Sequence, residues 1–366
     1  MIEIEKPKYQ KLRDYIIETI KSGKIIAGEK LYSENELAES FEVSRNTVRQ
    51  ALGELENEGW LYRVQGKGTF VNSYPNDKTE KSKNIAVVTT YLNDYIFPAI
   101  ITGIDSVLSV NSYNMILSCT YNQHQKERLC LENLLKQNIS GLIVESTKSA
   151  LPNPNINLYR KFTELGIPVL FIHGCYRELN YSYIVEDDTE AGYLATKHLI
   201  ELNHQRIAGI FKIDDIQGHL RFSGFQKAHL EAGLEISDSR IMWFETNDLD
   251  IRFKNNNTQL ENLISESTAL VCYNDQIALK LIDLLRDKNL TVPDNISLVS
   301  FDDSPLALAS ETKLTTVAHP KEALGEEAGK AIINMIERKK DYYDLKIKPI
   351  LILRNSTQKW GEIKNG

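Results

Sequence analysis

Residues 33–71 read SENELAESFEVSRNTVRQALGELENEGWLYRVQGKGTFV. Ser33-Glu34-Asn35-Glu36 is a capping box, in which the hydroxyl accepts from the Glu36 amide while the Glu36 side chain reaches back to the cap, so a helix is expected from here through Phe41. Val43-Ser44 interrupts it, and Ser44 is placed to cap a further helix through Arg45, Asn46, Thr47, Val48, Arg49, Gln50, Ala51, Leu52 and Leu55. Val48, Leu52 and Leu55 fall on one side of that helix, which turns Arg45 and Arg49, four residues apart, together onto its exposed side. After Gly59, Trp60–Val64 and Thr69–Val71 read as two strands around Gln65-Gly66-Lys67-Gly68, whose glycines permit a tight positive-φ turn. Upstream, Tyr9, Leu12, Ile16 and Ile20 recur at three- and four-residue steps after Pro7, the pattern of an amphipathic helix ending near Gly23.

Two helices joined by a short turn and followed by a hairpin make a winged helix-turn-helix, an α+β head whose expected span is residues 1–71. The N-terminal end of its second helix is what enters a major groove, where an Arg fork pairs with guanine O6 and N7. The hairpin tip carries little bulk and one lysine, Lys67, and can approach phosphates or a minor groove. Residues 1–71 hold 11 Lys plus Arg against 12 Asp plus Glu, so the case for DNA is local: Val43–Leu52 contains two arginines and no acid. On spacing alone, a merely solvated helix face is the competing reading of Arg45 and Arg49.

Over residues 7–71 the sequence resembles the GntR-type winged-helix regulators, on Pro7, Tyr9, Leu12, Gly28, Leu31, Ser33-Glu34, Leu37-Ala38, the run Val43–Arg49, Ala51-Leu52, Leu55, Gly59 and the run Gly66–Val71. That resemblance implies base and backbone contacts for Arg45 and Arg49, a phosphate contact for Thr47, and entry of the wing into the minor groove. The expected DNA-contacting set is Ser33, Glu34, Ser44, Arg45, Asn46, Thr47, Arg49, Gln65, Gly66, Lys67, Gly68 and Thr69.

Residues 72–84, NSYPNDKTEKSKN, lack aliphatic side chains and read as an exposed connector. From residue 85 to 366 short β-branched runs alternate with helical patterns: IAVVTT at 85, MILS at 115, GLIV at 141, PVLFI at 168, RIAGIF at 206, TALVCY at 268 and ISLVSF at 296. Such alternation implies α/β architecture with parallel sheets covered by helices. In sheets of this kind ligands bind beyond the carboxyl ends of strands. There stand Tyr91 with Asp94 and Tyr95, Glu145 with Lys148, His173, Asn274-Asp275 and Asp302-Asp303. Amides, carboxylates and aromatic rings suit a polyhydroxylated ligand, because each hydroxyl both donates and accepts and each C–H face stacks on a ring.

About residues 85–355 resemble the LacI-type repressor core, on Val185-Glu186-Asp187-Asp188, Gly192, Ala195, His198-Leu199, the run His204–Ala208, the run Arg221–Phe225, the run Cys272–Asp275, the run Phe301–Asp303 and the run Leu314–Val317. The resemblance implies a two-lobed α/β effector domain with crossing strands and the ligand in the cleft. It places Arg221, Asn274, Asp302 and His319 at inducer-contacting positions, with His173 and Tyr91 in the cleft; His319 stands where Gln is common and Asp188 where Asn is frequent. Tyr91, Asp94, Tyr95, Glu145, Lys148, His173, Arg221, Asn274, Asp302 and His319 are therefore the expected effector-binding residues. Asp187, Asp188 and His204 read instead as caps and turn hydrogen bonds.

Of 366 residues, 42% are hydrophobic and 25% charged with a net charge of -7, which fits a soluble globular chain and gives no sign of a general polyanion binder. The four cysteines are scattered without metal-site spacing, so no metal and no cofactor is expected. Met1–Gln10 is not a secretory signal and no run of roughly 18 apolar residues occurs, so membrane association is not expected and the cytoplasm is. A GntR-type head on a LacI-type body resembles the arabinose-operon repressor family. The expectation is a homodimeric repressor on near-palindromic operator DNA, released by a small sugar, L-arabinose by that likeness, although the polar residues alone do not separate a pentose from a hexose. The alternative, a pyridoxal-phosphate- or sugar-dependent enzyme with a regulatory head, finds no Schiff-base lysine motif and no nucleophile constellation, so no catalytic residue is assigned.

Overall fold

The computed structural model describes residues 7–72, 82–92, 94–254 and 257–361. The chain divides into two compact units, residues 1–81 and 82–366. Most of the connector, residues 73–81, and Asn93 lie outside the described residues.

In the first unit, α1 (Lys8–Lys21), α2 (Glu34–Ser40) and α3 (Arg45–Asn57) precede an antiparallel hairpin of β1 (Leu61–Val64) and β2 (Gly68–Val71). The capping box at Ser33 is formed in full, and Ser44 caps α3 through the Thr47 N–H. Val48, Ala51, Leu52 and Leu55 of α3 meet Leu12, Ile16, Leu37, Trp60 and Val71 in one buried core. Asn72 is hydrogen-bonded back to Gly59 and Trp60 of the same unit.

The second unit is two α/β lobes. The chain first lays down β3 (Asn84–Thr89), α4 (Phe97–Val110), β4 (Asn114–Cys119), α5 (His124–Leu134), β5 (Gly141–Glu145), α6 (Ile156–Glu164), β6 (Val169–Ile172) and β7 (Ser182–Glu186). It then crosses to the other lobe for α7 (Asp188–Glu201), β8 (Ile207–Lys212), α8 (Ile216–Glu231), β9 (Ile241–Phe244), α9 (Leu249–Arg252), α10 (Thr258–Ser265), β10 (Ala269–Cys272), α11 (Asp275–Asp287), β11 (Ser297–Asp302), α12 (Pro305–Ala309) and β12 (Thr315–Ala318). A second crossing returns it for α13 (Lys321–Ile336) and β13 (Asp344–Ile347), and a third leads to β14 (Ile350–Ile352). The sheet orders are β13-β7-β6-β5-β3-β4 and β14-β12-β11-β10-β8-β9.

Alternation along buried strands decides which helices cover which face. Ile85 and Val87 of β3 pack with α4 and α13, whereas Ala86 and Val88 pack with α5 and α6. Leu270 of β10 faces α10 and α11, while Ala269 and Val271 face α7 and α8. The expected parallel pairing holds in both sheets except at one edge, where β14 runs antiparallel to β12 because it follows the return from the first lobe. Strands β7, β9, β12, β13 and β14 add to the seven read from apolar runs.

Candidate DNA-reading helix and interlobe cleft

Arg45 and Arg49 stand on the exposed face at the start of α3, as the packing of Val48 and Leu52 on the opposite side requires. Ser44 fixes that helix end twice, accepting from the Thr47 N–H at 3.2 Å and lying 2.8 Å from the Thr47 hydroxyl. Glu34, at the start of α2, accepts from Arg49 Nε at 2.8 Å and so ties the two helices of the motif together through a surface ion pair. Arg45 has no ionic or hydrogen-bonding partner among the described residues and is exposed. Asn46 is exposed beside it, and Gln65, Gly66, Lys67 and Gly68 project at the hairpin tip with Thr69 half-buried behind them. Gly66 and Gly68 have φ of +76° and +120°, so the backbone at the tip favours glycine at both positions.

In the second unit the carboxyl ends of the strands from both lobes converge on a cleft. Glu145 ends β5, where its Oε2 accepts from the Thr90 N–H at 2.7 Å and the Thr90 hydroxyl at 2.5 Å. Its Oε1 meets His173 Nδ1 at 3.2 Å, and His173 Nε2 meets His319 Nε2 at 2.9 Å across the lobes. His319 Nδ1 faces Glu186 Oε1 at 3.5 Å. Tyr95 donates to Asp302, a second interlobe bond. Arg221 completes the network. It donates to Asp188 Oδ1 at 2.8 Å and the Tyr273 carbonyl at 2.6 Å, and its Nη2 lies 3.8 Å from Asp302 and 4.0 Å from Glu186.

The fold places these groups by close backbone approach. α7 and α8 cross where a Cβ on Gly192 would sit 2.0 Å from the Arg221 carbonyl and one on Gly224 2.0 Å from that of Thr189, so only glycines allow Arg221 to reach Asp188. Asp187 caps α7 through the Glu190 N–H, and His204 is buried against Thr268, Ser297 and the Gln358 carbonyl. Asp188 departs from the expected turn role, because burial beside Arg221 makes it an ion-pair partner within the cleft. Lys148, His173 and Asp302 hold positive φ of 45°, 63° and 99°, backbone strain of a kind that clusters at ligand sites.

Electrostatics follow from burial. Burial pushes Glu186 up to about 8 and Asp188 to about 6, with Arg221 pulling both back. His173 is disfavoured as a cation by burial, but the Glu145 bond and the field of Glu145, Glu186 and Asp188 prevail and raise it. His319 falls well below the ordinary histidine value through burial and the neighbouring charge of His173. The opposite shifts make His173 the member of the pair that more readily carries the charge, while His319 Nδ1 is buried beside Glu186 without a hydrogen bond.

The ten expected effector residues do not share one wall. Glu145, Lys148 and His173 line a narrow polar chamber with room for little more than water. Tyr91, Asp94 and Asn274 line a wider one of about 490 Å³, open to solvent, alongside Tyr121, Phe244 and Tyr273. Tyr95, Arg221, Asp302 and His319 form the buried network described above rather than either wall. Lys212, at the end of β8, borders both chambers, and Asn122, Asp214, Asp215 and Gln217 line the narrow one. None of these five is among the residues expected from the sequence, although Lys212, Asp214 and Asp215 end or follow β8, and Asn122 follows β4, much as His173 follows β6. Among the described residues no His, Cys, Asp or Glu cluster could hold a metal ion, and no helix is long and apolar enough to cross a membrane.

Residues 8–71 match the gntR family of bacterial regulatory proteins, and residues 196–357 match the periplasmic binding protein-like domain. The chain is 42% identical over 361 residues to the arabinose metabolism transcriptional repressor of Halalkalibacterium halodurans, covering 96% of each chain. It belongs to that family of repressors. The corresponding repressor of Geobacillus stearothermophilus is also 42% identical, over 96% of this chain and 98% of that one. The crystal structure of the transcription regulator CcpA of Lactococcus lactis superposes with a TM-score of 0.67 at 23% identity, over 76% of this chain and all of that one, a likeness of fold. The repressor thus joins a GntR-type winged helix to a LacI-type two-lobed body, and its relatives are transcriptional regulators.

Proposed function

We propose that the repressor binds near-palindromic operator DNA in the cytoplasm as a homodimer and is released when L-arabinose occupies the interlobe cleft. Residues 1–71 read DNA, with Arg45 and Arg49 at base edges and Lys67 at the backbone; residues 72–84 connect; residues 85–366 bind the sugar and dimerise. The observation that carries this reading is the pair of polar contacts across the lobes, His173–His319 and Tyr95–Asp302, set among strand-end carboxylates and amides. A polyhydroxylated ligand competing for those groups favours one lobe arrangement over another, which is what coupling to DNA requires. Rotating the lobes then changes the separation of the two connector roots in a dimer, and with it the spacing of half-sites that one dimer spans. The arabinose metabolism repressors at 42% identity support arabinose over other sugars.

Thermal unfolding against a panel of pentoses and hexoses tests the effector. A sugar at 100 times its dissociation constant adds about 2.7 kcal/mol of stability. L-arabinose alone is expected to do so, and a larger shift with a hexose overturns the assignment.

A further inference from the structure

Asp214 follows β8 by two residues and is 1% exposed. Its Oδ2 accepts from the Asn122 amide at 3.2 Å, the Thr246 hydroxyl at 2.9 Å and the Thr246 N–H at 3.4 Å. Asn122 belongs to the first lobe and Thr246 to the second, so this carboxylate is gripped from both sides only while the lobes are closed. Its Oδ1 is buried and accepts from no donor among the described residues. The nearby cation Lys212 is directed to Asp215 Oδ2, at 3.7 Å, and Asp215 also holds the Tyr273 and Ser149 hydroxyls at 2.7 and 2.9 Å.

Buried polar oxygens nearly always have a donor, and a charged one left without is costly. Asp214 lines the narrow chamber, whose wall includes Lys212, and Lys212 also borders the wide chamber. A polyol lying in the wide chamber would reach this oxygen by putting a single hydroxyl past Lys212 into the narrow chamber, which has room for little more than a water-sized group. An ionised carboxylate can only accept, so it rewards a hydroxyl and penalises a hydrogen or an ether oxygen at that position.

We propose that Asp214 is a specificity-determining residue of the cleft, its free Oδ1 accepting a hydrogen bond from one hydroxyl of the bound sugar. The inference rests on the sugar-binding reading and adds a residue to it that neither the strand-end pattern nor the LacI resemblance supplied. Because Asn122 and Thr246 clasp the other oxygen, the sugar contact is made only in the closed arrangement and so contributes to the choice between arrangements.

Asp214→Asn isolates the point. The amide keeps a carbonyl oxygen for the Asn122 and Thr246 donors and puts an NH2 where Oδ1 stood, turning an acceptor into a donor. Isothermal titration of the full-length protein with L-arabinose and its monodeoxy analogues is the measurement. The variant is expected to bind L-arabinose roughly 10–100-fold more weakly, the range of a lost charge-assisted bond. One monodeoxy analogue should show that same loss on the unaltered protein and no further loss on the variant. Asp214→Ser, smaller and neutral, runs beside it so that the comparison survives poor folding of either variant. Undiminished arabinose binding, or the same deoxy penalties in both proteins, removes Asp214 from sugar recognition. Failure of the unaltered protein to bind L-arabinose at all overturns the effector assignment instead.

Discussion

Replacing Arg221 by Met keeps the volume and removes the charge from the middle of the cleft network. The guanidinium is 3% exposed, lies 2.8 Å from Asp188, 3.8 Å from Asp302 and 4.0 Å from Glu186, and stacks 4.5 Å from the Phe301 ring centroid. Taking one partner from a buried ion pair costs about 3–5 kcal/mol, because the remaining charge stays desolvated and unpaired. At roughly 2–4 °C per kcal/mol for a domain of this class, the midpoint of thermal unfolding should fall by about 6–20 °C at pH 8. The cost should shrink on acidification. Glu186 and Asp188 already bind protons more tightly in the folded state than in the unfolded chain, because burial raises both, to about 8 and about 6. Stability from such a group is fully present below its unfolded value and is lost as pH climbs toward the folded one. Without Arg221 both values rise further, so the Met variant approaches the unaltered protein near pH 5 and departs from it toward pH 8. Adding Asp188→Asn should recover much of the loss. Urea and thermal unfolding at the two pH values decide the matter: a penalty under 1 kcal/mol at pH 8, or one independent of pH, would refute the buried-charge reasoning.

Glu186→Gln carries the same linkage in isolation, and its stability relative to the unaltered protein should rise between pH 5 and pH 8, as calorimetry across that range would show; a flat difference contradicts the raised carboxyl. Arg45→Ala should cost about 1–3 kcal/mol of discrimination between operator and scrambled DNA by fluorescence anisotropy, with sugar affinity untouched. Glu34→Gln releases Arg49 from its 2.8 Å ion pair and exposes one more net positive charge, so non-specific DNA binding should strengthen and its log–log salt slope steepen by about one; an unchanged slope would show that Arg49 was never restrained. Lengthening the distance between operator half-sites by 5 base pairs should abolish the two-site component of binding, and indifference to spacing would remove the geometric route of regulation.

The head was readable because its signals are local. Ser33, Glu36 and Ser44 announce helix starts within four residues of the bonds they make, and Val48, Leu52 and Leu55 mark the buried side without reference to the rest of the chain. Seven strands of the body announced themselves as apolar runs, all but β4 of them buried. The five that did not lie beside the crossings or at sheet edges: Asp344–Ile347 is mostly exposed, and Ser182–Glu186 alternates in burial, so neither is an unbroken apolar run. Of the cleft, Glu145, His173, Arg221, Asp302 and His319 were reached from strand ends and family motifs. That Asp188 pairs with Arg221 depends on two helices touching at Gly192 and Gly224, a contact no local pattern encodes. Lys212 and Asp214 are a different case, since the strand ending in Ile210-Phe211-Lys212 is evident and the residues after it were available to the same rule.

The central claim is that engagement of operator by the winged helix and occupancy of the cleft oppose one another. Anisotropy titration of a labelled operator with the full-length repressor, with and without saturating L-arabinose at one fixed salt concentration, measures it directly. Coupling of about 1–3 kcal/mol would move the midpoint by roughly 5–150-fold toward weaker binding. Superimposable curves, with the sugar shown to be bound, would contradict it.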